Sequence, residues 1–149
     1  MNDWKASEAR NHWADLLDAA ASGDWQRVEP LRREPVILAS QRQLARLLEL
    51  AAPFAPEVLY EDDDSVSIWL NEFDVYGSGD SLEEAAGDLL ESVREYVDDW
   101  EEDLKLAPNH RDRIWHVRRV QLAGDDEQLC RIIFGDDLAL KLCRQLCPA

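Results

Sequence analysis

Between Val66 and Leu104 the spacing of apolar residues switches from period two to a period of about 3.6, and this switch constrains the fold more than any other feature. Val66, Ile68 and Leu70 alternate with Ser67, Trp69 and Asn71, which predicts a strand with one buried face. Further on, Ser81 and Glu84 form a capping box. Beyond it Leu82, Ala85, Ala86, Leu89, Leu90, Val93, Val97, Trp100 and Leu104 make one stripe along a long helix. A strand with one apolar face and a helix with one apolar stripe bury each other, so the segment reads as α+β. Leu59 and Tyr60 lead into a solvated turn at Asp62–Ser65, and the glycines of YGSGDSLEE, from Tyr76, read as a second turn. Trp69 falls on the polar side of its strand. It is therefore exposed unless a partner or the C-terminal helices cover it.

The flanking regions follow other patterns. Residues 7–22 place Ala9, Trp13, Leu16, Leu17 and Ala20 at helical spacing, with Ser7 as N-cap and Gly23 just past the end. Trp25–Glu29 and Glu34–Ala39 are β-prone runs on either side of a turn at Pro30–Arg33. Ser40 and Gln43 form another capping box, and Leu44, Leu47, Leu48 and Ala51 continue on one face until Pro53. The result is a compact αββα unit over residues 1–52, after which APFAPE reads as a linker. Residues 57–107 form the second unit and 108–149 a helical extension. In the extension, His110–Ala123 reads as helix, with a strand at Ile114–Leu122 as the alternative. One or two further helices break at Gly135.

Charge follows the same divisions. Residues 57–107 carry 18 acidic and 2 basic side chains, net −16, which equals the formal charge of the whole chain, while residues 1–56 are net −1 and residues 108–149 net +1. The middle segment is thereby excluded as a surface for nucleic acid or anionic membrane, and the flanks are not. With 46% hydrophobic residues and six tryptophans the chain can bury a core, which excludes wholesale disorder. Neither a signal-peptide pattern nor an apolar run of about 18 residues is present, and Cys130, Cys143 and Cys147 make no disulfide framework, so the expected location is the cytoplasm.

Little in the sequence speaks for catalysis. Asp62, Asp63, Asp64, Glu72 and Asp74 are the carboxylates a metal-dependent nuclease would draw on, but neighbouring side chains of a DDD run point apart and make a poor ligand set. Cys143 and Cys147 lie four apart in a leucine-rich helix and read as small hydrophobes, and no zinc-ligand spacing joins the cysteines to His110 or His116. Gly77–Asp80 lacks the glycine spacing of a phosphate loop. No cofactor and no metal is expected.

Two stretches resemble known antitoxin modules. Residues 4–49, through SEARNHWADLLDAA and then REPVILAS before a helix, resemble the Phd/YefM (prevent-host-death) antitoxins, whose N-terminal unit begins with a short strand or arm. That resemblance implies a homodimer that holds operator DNA, and by position it assigns the contacts to Lys5, Arg10 and Asn11, with Arg32 and Arg33 in a turn that here lacks glycine. Residues 58–91, through VSIWLNEFDVYGSGDSLEEAAGDLLESV, resemble the HicB-like antitoxin fold, a strand-strand-helix module associated with neutralising a small RNA-cleaving toxin. The implied toxin is basic, because its substrate is a polyanion, and the acidic segment is complementary to it. Trp69, Glu84, Asp88, Glu91 and Glu95 are the expected contacts. Together these imply an antitoxin that neutralises a ribonuclease toxin and represses its own operon, with no membrane association. The alternatives are an interaction adaptor without DNA binding, and a nuclease built on Asp62 to Asp74.

Overall fold

The computed structural model of the chain describes residues 1–146, with residue 140 and residues 143–146 described by backbone alone. Cys147 lies outside the described residues, as does the side chain of Cys143. The fold is mixed α+β and divides into two compact units, Met1–Leu47 and a second starting at Leu48.

The first unit runs β1 (Asn2–Lys5), α1 (Ala6–Asn11), α2 (Trp13–Ala21), β2 (Gln26–Glu29), β3 (Val36–Leu38) and the start of α3 (Gln41–Ala51). Its sheet has the order β1-β2-β3, with β1 parallel to β2 and β3 antiparallel to it. Gln26 is fully buried and ties the first two strands together, accepting from the Trp4 indole N–H at 2.9 Å and donating to the Asp24 carbonyl at 2.7 Å. Buried polar groups persist only when so paired.

Residues 7–22 are two helices rather than the single one their periodicity predicts. The chain bends at His12 (φ −119, ψ 33), where the Trp4 ring lies 5.8 Å away. This bend lets α1 bury Ala9 and α2 bury Leu16 and Ala20 as separate elements. Nor is Ser7 the N-cap. Lys5 holds that position, and its backbone N–H donates to Glu8 Oε2 at 3.0 Å. The segment β1, which no periodicity marks, makes the unit ββ-paired from its first residues. Gly23 does follow α2, at φ +104, where an L side chain is strained. Contrary to their place on the apolar stripe, Trp13, Leu17, Leu44 and Leu47 are exposed, and no residue of α3 is buried.

The second unit continues with β4 (Glu57–Tyr60), β5 (Val66–Leu70), β6 (Val75–Gly79) and α4 (Leu82–Glu102), then α5 (Ile114–Gln121), α6 (Asp126–Phe134) and α7 (Asp136–Leu146). Its sheet is antiparallel throughout, in the order β4-β5-β6. The third strand corrects the expected strand-strand-helix arrangement. Asn71–Asp74 make the turn, with Asp74 at φ 58, and Gly77 and Gly79 lie in β6 beneath α4. Ser81 caps α4 by accepting from Glu84 N.

One core joins these elements: Val66, Ile68, Leu70 and Phe73 from the sheet and its turn, the α4 stripe from Ala85 to Trp100, Val117 and Val120 of α5, then Leu129, Cys130, Ile133, Ala139 and Leu142. Residues 114–121 are helical rather than strand, and α6 ends at Gly135, φ 76. The APFAPE segment is fastened to this unit. Arg119 donates to the Ala52 carbonyl at 2.8 Å, Ala55 N donates to Glu72 Oε1 at 2.9 Å, and Phe54 packs on Phe73, His116 and the Arg119 guanidinium.

Candidate functional site

In the first unit the parallel pairing of β1 with β2 sets Lys5 opposite Glu29, immediately before the turn that carries Arg32 and Arg33. Lys5 and that turn therefore sit at one end of the sheet. Arg10 and Asn11 follow along α1, about 7 Å further at about 1.5 Å per residue. All five side chains are exposed. The carboxylates nearest Arg10 in sequence are engaged elsewhere: Glu8 Oε2 accepts from Lys5 N, and Asp15 faces His12 Nδ1 at 3.3 Å. Arg32 adopts φ 65, the left-handed conformation that a glycine would take without strain. Arg27, by contrast, is held by acids, Asp3 at 3.7 Å and Glu29 at 2.9 Å. Around this sheet, Trp13, Leu17, Val36, Ile37, Leu44 and Leu47 expose a large share of their apolar surface.

The second unit presents two surfaces. On α4 and its C-cap the side chains of Glu84, Asp88, Glu91, Glu95, Asp98, Asp99, Glu102 and Asp103 are all exposed. Two of the expected contacts have internal partners: Asp88 accepts from Ser78 N at 2.9 Å and Glu84 from Asp80 N at 2.9 Å. These bonds occupy one backbone donor of β6 and one just beyond it. Glu91 and Glu95 stay exposed further along the helix.

The other surface is the face of the sheet that α4 does not cover. Trp69 stands on it as the alternation predicts, 37% exposed, with Tyr76 directly opposite on β6 and 52% exposed. The two rings stack with centroids 5.0 Å apart and planes at 25°. Glu57 is opposite Trp69 on β4, and its Oε1 accepts from Asn71 Nδ2 at 3.0 Å. Leu59 adds exposed apolar surface one row along. Tyr76 and Glu57 were not legible as site residues, because the glycines around Tyr76 read as a turn. The signal that reveals them is the NEFD turn at Asn71–Asp74, after which V-Y-G-S-G alternates in its turn.

The acidic turn is locally satisfied. Asp63 accepts from the Ser65 hydroxyl at 2.6 Å and from Ser65 N at 3.2 Å, and these bonds hold its carboxyl below the ordinary value. Among the described residues no three His, Cys, Asp or Glu side chains gather as a metal-holding group. Glu101 joins α4 to α5. Gln121 Nε2 at 2.7 Å and Arg118 at 2.6 Å donate to it, with Lys105 at 3.4 Å, and together they lower its pKa to about 2. Among the described residues no helix is long and apolar enough to cross a membrane.

The chain is thus a two-unit α+β protein with exposed basic side chains on the smaller unit and a dense acidic surface on the other. The family model PHD_like, described as the antitoxin of toxin-antitoxin, RelE / RelB, TA system, matches residues 1–135, and the chain belongs to that family. It is also similar to the crystal structure, at 1.80 Å resolution, of the antitoxin part of a toxin/antitoxin system from Syntrophomonas wolfei subsp. wolfei. The TM-score is 0.75 and the identity 25%, over 90% of this chain and 97% of that one. No curated protein matches the sequence.

Proposed function

We propose that the chain binds and neutralises a cognate basic toxin, a ribonuclease, through its acidic second unit, and that as a homodimer it holds operator DNA and represses its own operon. The first unit takes the part of the Phd/YefM-like module and the second that of the HicB-like module. The observation that carries this is the separation of charge between the units of an antitoxin-family chain: the net −16 of residues 57–107 stands apart from the exposed Lys5, Arg10, Asn11, Arg32 and Arg33. An acidic surface competes with RNA for a basic enzyme, and phosphate contacts require unpaired basic donors. The apolar surface of Trp13, Leu17, Ile37, Leu44 and Leu47 supports dimerisation, since such residues are buried at little cost by a second copy. The protein acts in the cytoplasm and performs no catalysis.

Two experiments test the two halves. Growth arrested by expressing the product of the neighbouring gene is restored by co-expressing this chain, and the two proteins copurify; failure of both removes the toxin half. Gel shifts with the DNA upstream of the operon show binding at low salt that weakens steeply with added salt, and Arg10→Ala reduces it at every salt concentration. Absence of a shift at low salt removes the DNA half.

A further inference from the structure

The open face of the second sheet carries a constellation that the charge of the unit does not explain. Glu57, Trp69 and Tyr76 form one row across three strands, each directly opposite the next. Cross-strand neighbours of this kind have Cβ atoms about 5 Å apart, so a single side chain of a partner can touch all three. A cross-strand aromatic pair stabilises a sheet by itself, and here both rings also keep a large exposed area beside a carboxylate. Because the two rings stack on each other, the pair presents an outer ring face and its edges, and Asn71 holds one oxygen of Glu57 in place, with the second left to meet a donor.

We propose that this row receives an arginine side chain of the cognate toxin; the proposal rests on the toxin-neutralising function proposed above. The guanidinium is planar and weakly hydrated. It lies on an indole face and pairs with a carboxylate at its rim, which a compact, strongly hydrated lysine ammonium does less well. The field of the surrounding segment, net −16, selects a cation over any anion. A nucleobase also stacks on an aromatic ring, but it brings phosphates into that field. A ribonuclease presents arginines to its RNA, so an arginine held on Glu57, Trp69 and Tyr76 is withdrawn from the substrate. The row also moves the contact from the helix to the sheet: Glu84 and Asp88 serve β6 and its end, and the helix acids Glu91 and Glu95 steer the approach.

The test uses the full chain and two readouts. In the first, the Trp69 indole N–H resonance, assigned with Trp69→Phe, is followed while hexa-arginine, hexa-lysine or hexa-uridylate is added. Hexa-arginine produces a saturable shift, hexa-lysine binds several-fold more weakly and hexa-uridylate leaves the resonance in place. Glu57→Gln, which keeps the shape of the side chain, weakens the arginine response about tenfold. A shift with hexa-uridylate in place of hexa-arginine, or an arginine response unchanged in Glu57→Gln, overturns the proposal. In the second, affinity for the neighbouring gene's product falls about tenfold in Glu57→Gln and further in Glu57→Arg, with the urea midpoint of the free protein unchanged. If the wild type binds that product and both variants bind it equally well, the arginine row is wrong and the toxin-binding function stands. If the wild type does not bind it, both fall.

Discussion

Gly77 and Gly79 have no side chain to offer because α4 lies directly on β6. A Cβ at Gly77 would stand 2.2 Å from Leu89 N and 2.3 Å from the Ala85 carbonyl oxygen, both backbone atoms of the helix. Nothing there can swing aside, so helix and sheet must separate. Gly77→Ala is expected to destabilise the protein by about 3 kcal/mol or more, above the usual range for overpacking, and urea unfolding measures it. Gly79→Ala meets Glu84 Cβ at 2.5 Å and Ala85 N at 2.8 Å, and costs less because the contact lies at the first turn of the helix. In the sequence these glycines look like a turn, since flexibility and close approach leave the same mark on a chain. Only the position of the helix tells them apart. Arg32 is the converse case, a residue that must adopt φ 65 in a turn without glycine. Arg32→Gly relieves that strain by about 1 kcal/mol while removing one of the proposed phosphate contacts. Its urea midpoint therefore rises while its gel shift weakens.

At the scale of elements, one carboxylate adds a polar link between α4 and α5 beside the core they share. Glu101 accepts from Gln121, Arg118 and Lys105, and its pKa falls from the ordinary value to about 2. A depressed folded pKa means that the stabilisation is fully present above the unfolded value, near 4.5, and is lost as pH falls through about 2. Acid titration followed by circular dichroism is expected to show the wild type losing stability across that window. Glu101→Gln starts less stable at neutral pH and has a flatter profile there. The helix α4 itself is well marked in the sequence: Ser81, Glu84 and the apolar stripe from Leu82 onward suffice, and Ser81→Ala removes the cap bond to Glu84 N at a cost of about 1 kcal/mol. By contrast, the bend at His12 is hidden. The spacing from Ala9 to Ala20 fits one helix, and nothing in it marks His12, where α1 ends and α2 begins.

For the whole molecule, the separation of charge sets the kinetics of partner binding. Long-range attraction between the acidic unit and a basic toxin acts over a Debye length of about 30 Å at 0.01 M salt and about 3 Å at 1 M. The association rate, measured by stopped flow with the neighbouring gene's product, is expected to fall at least tenfold, on the order of the known effect of steering, across that range, with little change in dissociation. Glu91→Gln with Glu95→Gln lowers the association rate at low salt and leaves the gel shift with operator DNA unchanged. An equal effect on both assays would mean that the two surfaces do not act separately.

What the sequence determined by itself is local: the period-two strand at Val66–Leu70, the capped acidic helix, the concentration of charge, and the outward aim of Trp69. These follow from periodicity, capping chemistry and composition, which are properties of neighbouring residues. Tertiary structure alone decided that β6 exists, that Trp69 has Tyr76 and Glu57 beside it, that Asp88 and Glu84 are spent on backbone donors, and that Trp13, Leu17, Leu44 and Leu47 stay exposed. Each of these depends on which strand or helix lies opposite, across a distance in the chain that no local pattern spans. An amphipathic stripe states that something must cover it, and only the packed fold shows whether that cover is the chain itself.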